Sequence, residues 1–517
     1  MTLPSWFIIQ ITAVASLGGC LFGYDMGAIS GALPQLTIDM NLTSQQQEWA
    51  VSILYLGGGL GAAVGGTICD TLGRQRTIVW TDVVFFVGAF WLYMADSFTS
   101  VLWGRFVVGI AVAVSGVADV SYLHEVAPLE WRGAIVSVNE ACISLGFLLA
   151  YLAGYVYPSN WRMIFGLAGI MAMIQGMGMW FLPESPVWLA EQGRVEESRK
   201  AWKKINGRQP TESDLPALLS PTHNPDDFPY QLSHSPNRLS QSPNRSEETH
   251  SFESLDRMMV GNSEDQLRFL VWIRSQVRSL VATLKRYRRQ VIIALFLAIT
   301  QQFCGQTNVL NYATHILADN AEDWFTLAIG MVKFVVTVLV IWKIEQVGRR
   351  TLLLAGMSLI ALGMLVLVVA FGGSASALAL PGVLLVVCGY SMSFGPLTWL
   401  LTAEIFPTEI RGRALGASTI ITYLCASLVT NTFLSASAAI GHARVFAMYG
   451  IITTIGIIFA FLAIPDTGEK SVDQIEDSMK SMWWWRKESL SQSEHLLLAR
   501  RRSRDDDKFE MSSNPIH

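Results

Sequence analysis

Apolar stretches near the roughly 20 residues that cross a bilayer recur about a dozen times along this 517-residue chain, and no other property narrows its fold so far. In hydrocarbon every backbone N–H and C=O must be bonded within the chain, so each stretch is predicted to be an α-helix. The spans are placed near 7–34, 49–69, 77–95, 101–127, 133–156 and 162–182, then near 289–317, 323–344, 351–372, 379–403, 413–437 and 444–464. Hydrophobic residues make up 51% of the chain and charged residues 15%, too few charges to cover the surface of a soluble protein this long. The first apolar run is long and has no basic lead-in, so it reads as a membrane helix rather than a cleavable leader. The expected class is all-α and polytopic.

Charge placement orients the spans. Arg74, Arg76, Arg132, Arg349, Arg350, Arg411 and Arg413 fall in loops on one side, with the long basic connection 183–290. The opposite loops, near 35–48, 96–100, 318–322 and 373–378, contain no Lys or Arg. By the positive-inside bias both termini are predicted to be cytoplasmic. Asn41-Leu42-Thr43 then lies outside as a candidate glycosylation sequon, and Asn244-Arg245-Ser246 lies inside. Four segments follow: a six-helix bundle over 1–182, a cytoplasmic linker over 183–288, a second bundle over 289–464 and a cytoplasmic tail over 465–517.

Within the linker, about 186–205 and 264–288 read as amphipathic helices rich in Lys and Arg. Between them, about 207–262 is Pro/Ser/Asn-rich, repeats Ser235-Pro-Asn-Arg as Ser242-Pro-Asn-Arg, and has too little apolar surface to offset ordering entropy. That insert is expected to be disordered, with its Ser-Pro steps open to phosphorylation or serving only as linker. In the tail, Trp483–Trp485 suit the membrane interface and Leu496–Leu498 form a weak sorting signal. The six cysteines lie in apolar spans without metal or CxxC spacing and read as buried small residues.

The chain repeats itself. Glu125-Val-Ala-Pro-Leu-Glu-Trp-Arg132-Gly133 recurs as Glu404-Ile-Phe-Pro-Thr-Glu-Ile-Arg411-Gly412, and Asp70-Thr-Leu-Gly73-Arg74 as Glu345-Gln-Val-Gly348-Arg349. A weaker third pair closes each half, Pro183-Glu-Ser-Pro and Pro465-Asp-Thr-Gly. Each motif sets carboxylates beside guanidiniums at helix ends, where bidentate pairs form. Asp70, Arg74, Glu125, Arg132, Glu345, Arg349, Glu404 and Arg411 are therefore candidates for a cytoplasmic charge network, with Glu125–Arg132 and Glu404–Arg411 as its expected pairs. Parallel six-span repeats with substrate at the midplane describe a rocking secondary transporter.

These motifs resemble the sugar porter family of the major facilitator superfamily. The likeness rests on Gly23-Tyr24-Asp25, Gly104-Arg105-Phe106, Glu125…Arg132-Gly133, Pro183-Glu-Ser-Pro186, Gln301-Gln302, Gly348-Arg349-Arg350 and Gly395-Pro396…Trp399. It covers nearly the whole chain apart from the insert and tail. Val187 stands where the family carries an Arg, and Thr71 and Gln75 replace basic residues in the first Gly-Arg loop. The tail-proximal Pro465-Asp-Thr-Gly-Glu is an altered form of the family's closing motif.

Gln301, Gln302, Asn308 and Asn311 on the seventh span offer amide donors and acceptors, with a helix break expected at Gly305. The resemblance implies that Gln301 and Gln302 contact a hexose, that Trp399 stacks on it and that Tyr390 stands nearby. It also places Glu140 and Lys333 where most sugar porters carry sugar-binding amides, and Asn139-Glu140, Gly305-Gln-Thr-Asn308 and Val332-Lys333 are most similar to class III facilitative glucose transporters. From a rise of about 1.5 Å per residue, both charges fall near mid-depth. They are expected to pair across the cavity, to bond sugar hydroxyls, or each to hold a local partner.

Asp25 stands in the first span, where a charged residue costs roughly 2.5–3.5 kcal/mol and usually marks function. Its expected partner is Arg105, a few residues into the fourth span. Pairing favours the ionised acid and separation the neutral one, which is what a proton symporter requires. Similar proton-coupled sugar porters carry Asp here. The first expectation is thus a proton-coupled hexose symporter, monomeric, in the plasma membrane or an endomembrane. The alternatives are a facilitative sugar or polyol (myo-inositol) uniporter, and a non-transporting sugar sensor. No nucleotide loop, metal cluster or nucleophile–base set suggests an enzyme, a cofactor, a metal or nucleic acid.

Overall fold

A computed structural model describes residues 6–128, 131–209, 286–317, 324–373, 375–467, 474–475 and 477–478, the side chains of 345, 376, 408 and 409 excepted. One compact unit comprises Met1–Ser220 and Ile293–His517; of the other, Pro221–Ile292, only 286–292 are described. The repeated Ser235 and Ser242, most of the insert, the helix expected over 264–288 up to 285, Trp483–Trp485, Leu496–Leu498 and the Glu345 side chain lie outside the described residues.

The first half runs α1 (Trp6–Ala15), α2 (Leu17–Met40), α3 (Ser44–Leu72), α4 (Arg74–Tyr93), α5 (Phe98–Val126), α6 (Arg132–Val156) and α7 (Trp161–Trp180). Two short helices follow, α8 (Pro186–Glu191) and α9 (Val195–Asn206). The second half runs α10 (Arg288–Phe303), α11 (Gln306–Asn311), α12 (Ala313–Leu317), α13 (Trp324–Val347), α14 (Arg349–Gly372), α15 (Ala379–Met392), α16 (Phe394–Ile405), α17 (Thr408–Thr430), α18 (Phe433–Ile440) and α19 (His442–Ala463). Among the described residues, eleven helical runs are long and apolar enough to cross a membrane. The remaining expected span is α10–α12, interrupted at Gly305. Nine of the twelve expected spans coincide with these runs to within about three residues at each end.

Small residues let the helices close. A Cβ on Gly23 of α2 would lie 1.8 Å from the Ile143 carbonyl oxygen of α6, and one on Gly146 of α6 would lie 2.1 Å from the Cys20 carbonyl oxygen of α2. The second half repeats the device, with Gly356 of α14 and Gly389 of α15 each 2.5 Å from the other's carbonyl oxygen on the same test. Hydrocarbon supplies no hydrophobic drive between helices, so such backbone approaches carry the packing.

The structure corrects two helix ends. The first span does not stop at Pro34: α2 runs on to Met40, where Asn41 caps it in the left-handed region at φ 50°. Pro34 has no N–H to give the Ser30 carbonyl, and the Thr314 hydroxyl of α12 donates there instead, at 2.7 Å. The tenth span, expected over 379–403, breaks at Ser393 (φ −113°, ψ −92°), two residues before Gly395-Pro396. Pro396 falls in the first turn of α16, where a missing N–H costs nothing. The sequon residue Thr43 is the N-cap of α3, bonded reciprocally with Gln46.

Candidate functional site

The seventh span breaks where expected. Gly305 adopts φ 81°, and a Cβ there would meet the Tyr449 ring at 2.3 Å, so both conformation and space require glycine. The break separates α10, which carries Gln301 and Gln302, from α11, which carries Asn308 and Asn311. Gln301 Nε2 donates to the Tyr390 hydroxyl at 2.9 Å, and Gln302 Oε1 accepts from Thr307 at 2.6 Å. Asn308 Nδ2 donates to the Val429 carbonyl (3.1 Å) and the Tyr449 hydroxyl (2.8 Å). Asn311 Nδ2 donates to the Tyr55 hydroxyl of α3 at 2.7 Å, which joins the two halves. Gln301 Oε1 and Asn308 Oδ1 are buried acceptors with no hydrogen-bond partner. Trp399 is half-buried on α16.

Lys333 of α13 is buried, its ammonium 4.8 Å from the ring centre of Phe147 and 5.4 Å from that of Tyr390. Glu140 of α6 lies within electrostatic reach, yet no direct ion pair joins the two, so the expected clasp is a longer-range interaction. Ser144 and Thr337 bond between the same two helices at 2.9 Å.

Asp25 and Arg105 are each 1% exposed and act on one another electrostatically. They too make no direct ion pair. The guanidinium carbon sits 5.5 Å from the Phe165 ring centre, and Arg105 Nε and Nη1 and Asp25 Oδ2 have no hydrogen-bond partner. Tyr55 and Tyr312 are the other groups acting on Arg105. Tyr55 therefore stands between the charged pair and Asn311.

At the motif-bearing face the pairing differs from expectation. Glu125 meets Arg74 at 2.9 Å, not Arg132, and Glu404 meets Arg349 at 3.4 Å, not Arg411. Arg74 and Arg349 open the helices beside each glutamate, whereas Arg132 acts on Glu125 only at longer range, without a direct ion pair, and Arg411 bonds the Phe406 carbonyl at 3.4 Å. Asp70 adds a second carboxylate to Arg74 at 3.1 Å, and Ser185 donates to Glu125. Glu184 accepts the Gln75 and Ser185 N–H groups, each at 2.9 Å, capping α4 beside Gly73. Asp466 stands beside Gly348 in the second half, so the weakest sequence repeat also recurs in space. Each of these ion pairs lies within one half.

Hydrogen bonds at the opposite face do cross between halves. Glu48 of α3 accepts the Ser435 N–H (2.7 Å) and hydroxyl (2.6 Å) of α18, and Ser52 donates to Asn431 at 3.0 Å. Glu48, Tyr55 and Tyr449 escaped the sequence reading, because an acid near a helix start and tyrosines in apolar spans have ordinary structural uses. Asp82 and Asp119 escaped it too, although the argument from intramembrane acids that singles out Asp25 applies equally to them.

The profile of the family described as "Sugar (and other) transporter" matches residues 11–244 and 232–478. A major myo-inositol transporter, IolT of Bacillus subtilis (strain 168), is 29% identical over 92% of this chain and 95% of its own. A galactose-proton symporter of Escherichia coli (strain K12) is 26% identical over 90% and 93%. Among solved structures, the inward-open xylose transporter XylE from E. coli superposes with a TM-score of 0.70 at 26% identity, over 91% of this chain and 99% of that one.

Proposed function

The chain belongs to the sugar transporter family of the major facilitator superfamily, and on that premise we propose that it moves a hexose or cyclic polyol by alternating access, coupled to proton symport through Asp25 and Arg105. The observation that carries the substrate class is the pair of buried acceptors without donors, Gln301 Oε1 and Asn308 Oδ1, the first on the amide that donates to Tyr390, whose ring faces Lys333, and the second on the amide that donates to Tyr449. Sugar hydroxyls supply the missing donors, and Glu140 accepts from others. A ring's C–H face suits Trp399. The galactose and xylose carriers and the myo-inositol carrier all handle compact polyhydroxylated molecules of this kind.

Coupling is supported by the unbonded Asp25–Arg105 arrangement. A buried carboxylate without a direct cation is costly, and a proton on Asp25 removes that cost. Re-forming the pair expels the proton. Tyr55, bonded to Asn311 and acting on Arg105, links sugar occupancy to that choice. A static Asp25–Arg105 clasp, as in a uniporter, finds less support because no direct bond holds it. We place the motif-bearing face and both termini in the cytoplasm, in a monomer at the plasma membrane, with Arg74–Glu125 and Arg349–Glu404 as the charge network of each half. Uptake into proteoliposomes, with and without an imposed pH gradient, tests the coupling. Wild type is expected to accumulate sugar against its gradient and Asp25→Asn only to equilibrate it. Wild-type uptake that never exceeds equilibrium would leave the uniporter reading.

A further inference from the structure

Asp82 of α4 and Asp119 of α5 are 3% and 0% exposed, in the part of the first bundle nearer the motif-bearing face. Asp119 accepts from Ser115 Oγ at 2.8 Å and from Gln175 Nε2 of α7 at 3.2 Å. Asp82 approaches the same step of α7, since a Cβ on Gly176 would lie 3.4 Å from its Oδ2. Asp119 acts electrostatically on Asp82. Gln175 is fully buried with its amide at Asp119, its Nε2 also donating to the Ala15 carbonyl at 3.5 Å, yet its Oε1 has no hydrogen-bond partner, and neither has Asp82 Oδ2.

The other charged groups of the packed helices are engaged elsewhere. Asp70, Arg74 and Glu125 form the motif cluster, and Arg132 and Arg411 act electrostatically on His124. Asp25 faces Arg105, Glu140 faces Lys333, Glu48 holds Ser435, and Arg162 meets Asp96 and the Ala95 carbonyl. None of them acts on Asp82 or Asp119. Two buried carboxyl groups without a cation thus lie together, and two acceptors there, Gln175 Oε1 and the Oδ2 of Asp82 itself, lack a donor. The O–H of a carboxylic acid satisfies both deficits at once.

We propose that Asp82, Asp119 and Gln175 form a second proton-binding site, loaded from the motif-bearing face. A proton from water there adds to one carboxylate oxygen, the resulting acid donates to Gln175 Oε1, and one negative charge remains on the pair; release reverses the step. The site lies along the same face of α2 as Asp25. A Cβ on Gly18 would lie 1.8 Å from Asp119 Oδ2, and Asp25 stands seven residues further on, about two turns. As a relay for the coupled proton the site deepens the symport reading; as a proton site it stands without it.

Difference infrared spectra of the purified full-length protein, taken through a pH titration without sugar, test the site. A titrating carboxylic-acid C=O band is expected in wild type and is expected to be lost or shifted in Asp82→Asn and in Asp119→Asn. Asp25→Asn should leave this band in place, so failure of the symport reading does not touch the result. Gln175→Leu removes an acceptor but no acid; it should move the band to higher frequency at equal area, a readout that remains if an Asn variant does not fold. A band unchanged in all three variants overturns the proposal. So does a signal that follows Na⁺ at constant pH, which would assign the site to a metal cation. In proteoliposomes Asp119→Asn should abolish pH-driven accumulation, and wild-type accumulation would remove the relay role.

Discussion

Arg74 and Glu125 lie 2.9 Å apart with side chains 10% and 14% exposed, whereas Arg349 and Glu404 lie 3.4 Å apart at 16% and 22%. Removing one member of a buried pair strands the other, at a cost of about 3–5 kcal/mol, and exposure reduces it. Arg74→Ala is therefore expected to lower the denaturation midpoint in detergent more than Arg349→Ala. The double variant Arg74→Ala/Glu125→Ala should regain part of the loss, because the carboxylate then left without Arg74 is the exposed Asp70, which water solvates. Equal losses for the two arginines would contradict this ranking. Gly305→Ala should abolish sugar uptake while the protein still inserts, since its positive φ and the Tyr449 ring both exclude a side chain. Substantial uptake by that variant would mean that the break is dispensable. Residue types and motif spacing imply that acids and arginines network here; which acid meets which arginine depends on helix ends brought together from distant parts of the chain.

The continuation of α2 past Pro34 is an element-scale feature with a definite partner. Thr314 of α12 donates to the Ser30 carbonyl that Pro34 leaves free. Thr314→Val should cost about 1–3 kcal/mol by orphaning that carbonyl. In Pro34→Ala the helix supplies its own N–H to Ser30, so adding Thr314→Val there should cost much less. A double-mutant cycle on thermal stability reads the difference, and additivity would show that the two residues act separately. The broken eleventh span follows the same logic. Carbonyls near the end of α17 accept from Asn308 and Tyr312, so irregular backbone survives where another helix satisfies it.

At the scale of the whole molecule, the halves are hydrogen-bonded together at the face opposite the motifs, while each ion pair at the motif-bearing face stays within its own half. Among the described residues the halves are thus joined by side-chain bonds at the face opposite the motifs. Glu48 contributes two short bonds to the closure. Hydrogen bonds to a charged group are worth about 1.5–3 kcal/mol, so Glu48→Ala is expected to shift the equilibrium about ten- to hundred-fold toward the state open at that face. Spin-label distances across α3 and α18 should lengthen in that variant. Unchanged distance distributions would show that closure rests on packing alone.

The sequence by itself determined the class, the number and approximate ends of the spans, the two-fold repeat and the break at Gly305. Each of these follows from local constraints: hydrocarbon demands closed backbone bonding, and only glycine tolerates that φ. It also singled out Gln301, Asn308, Asp25 and Arg105. Only the tertiary structure decided that Arg74 rather than Arg132 meets Glu125, that Tyr55 stands between Arg105 and Asn311, and that Asp82 and Asp119 share one buried space. Side-chain partnership across helices depends on register and crossing angle, which small-residue contacts such as Gly23 with Ile143 set and which no single span encodes.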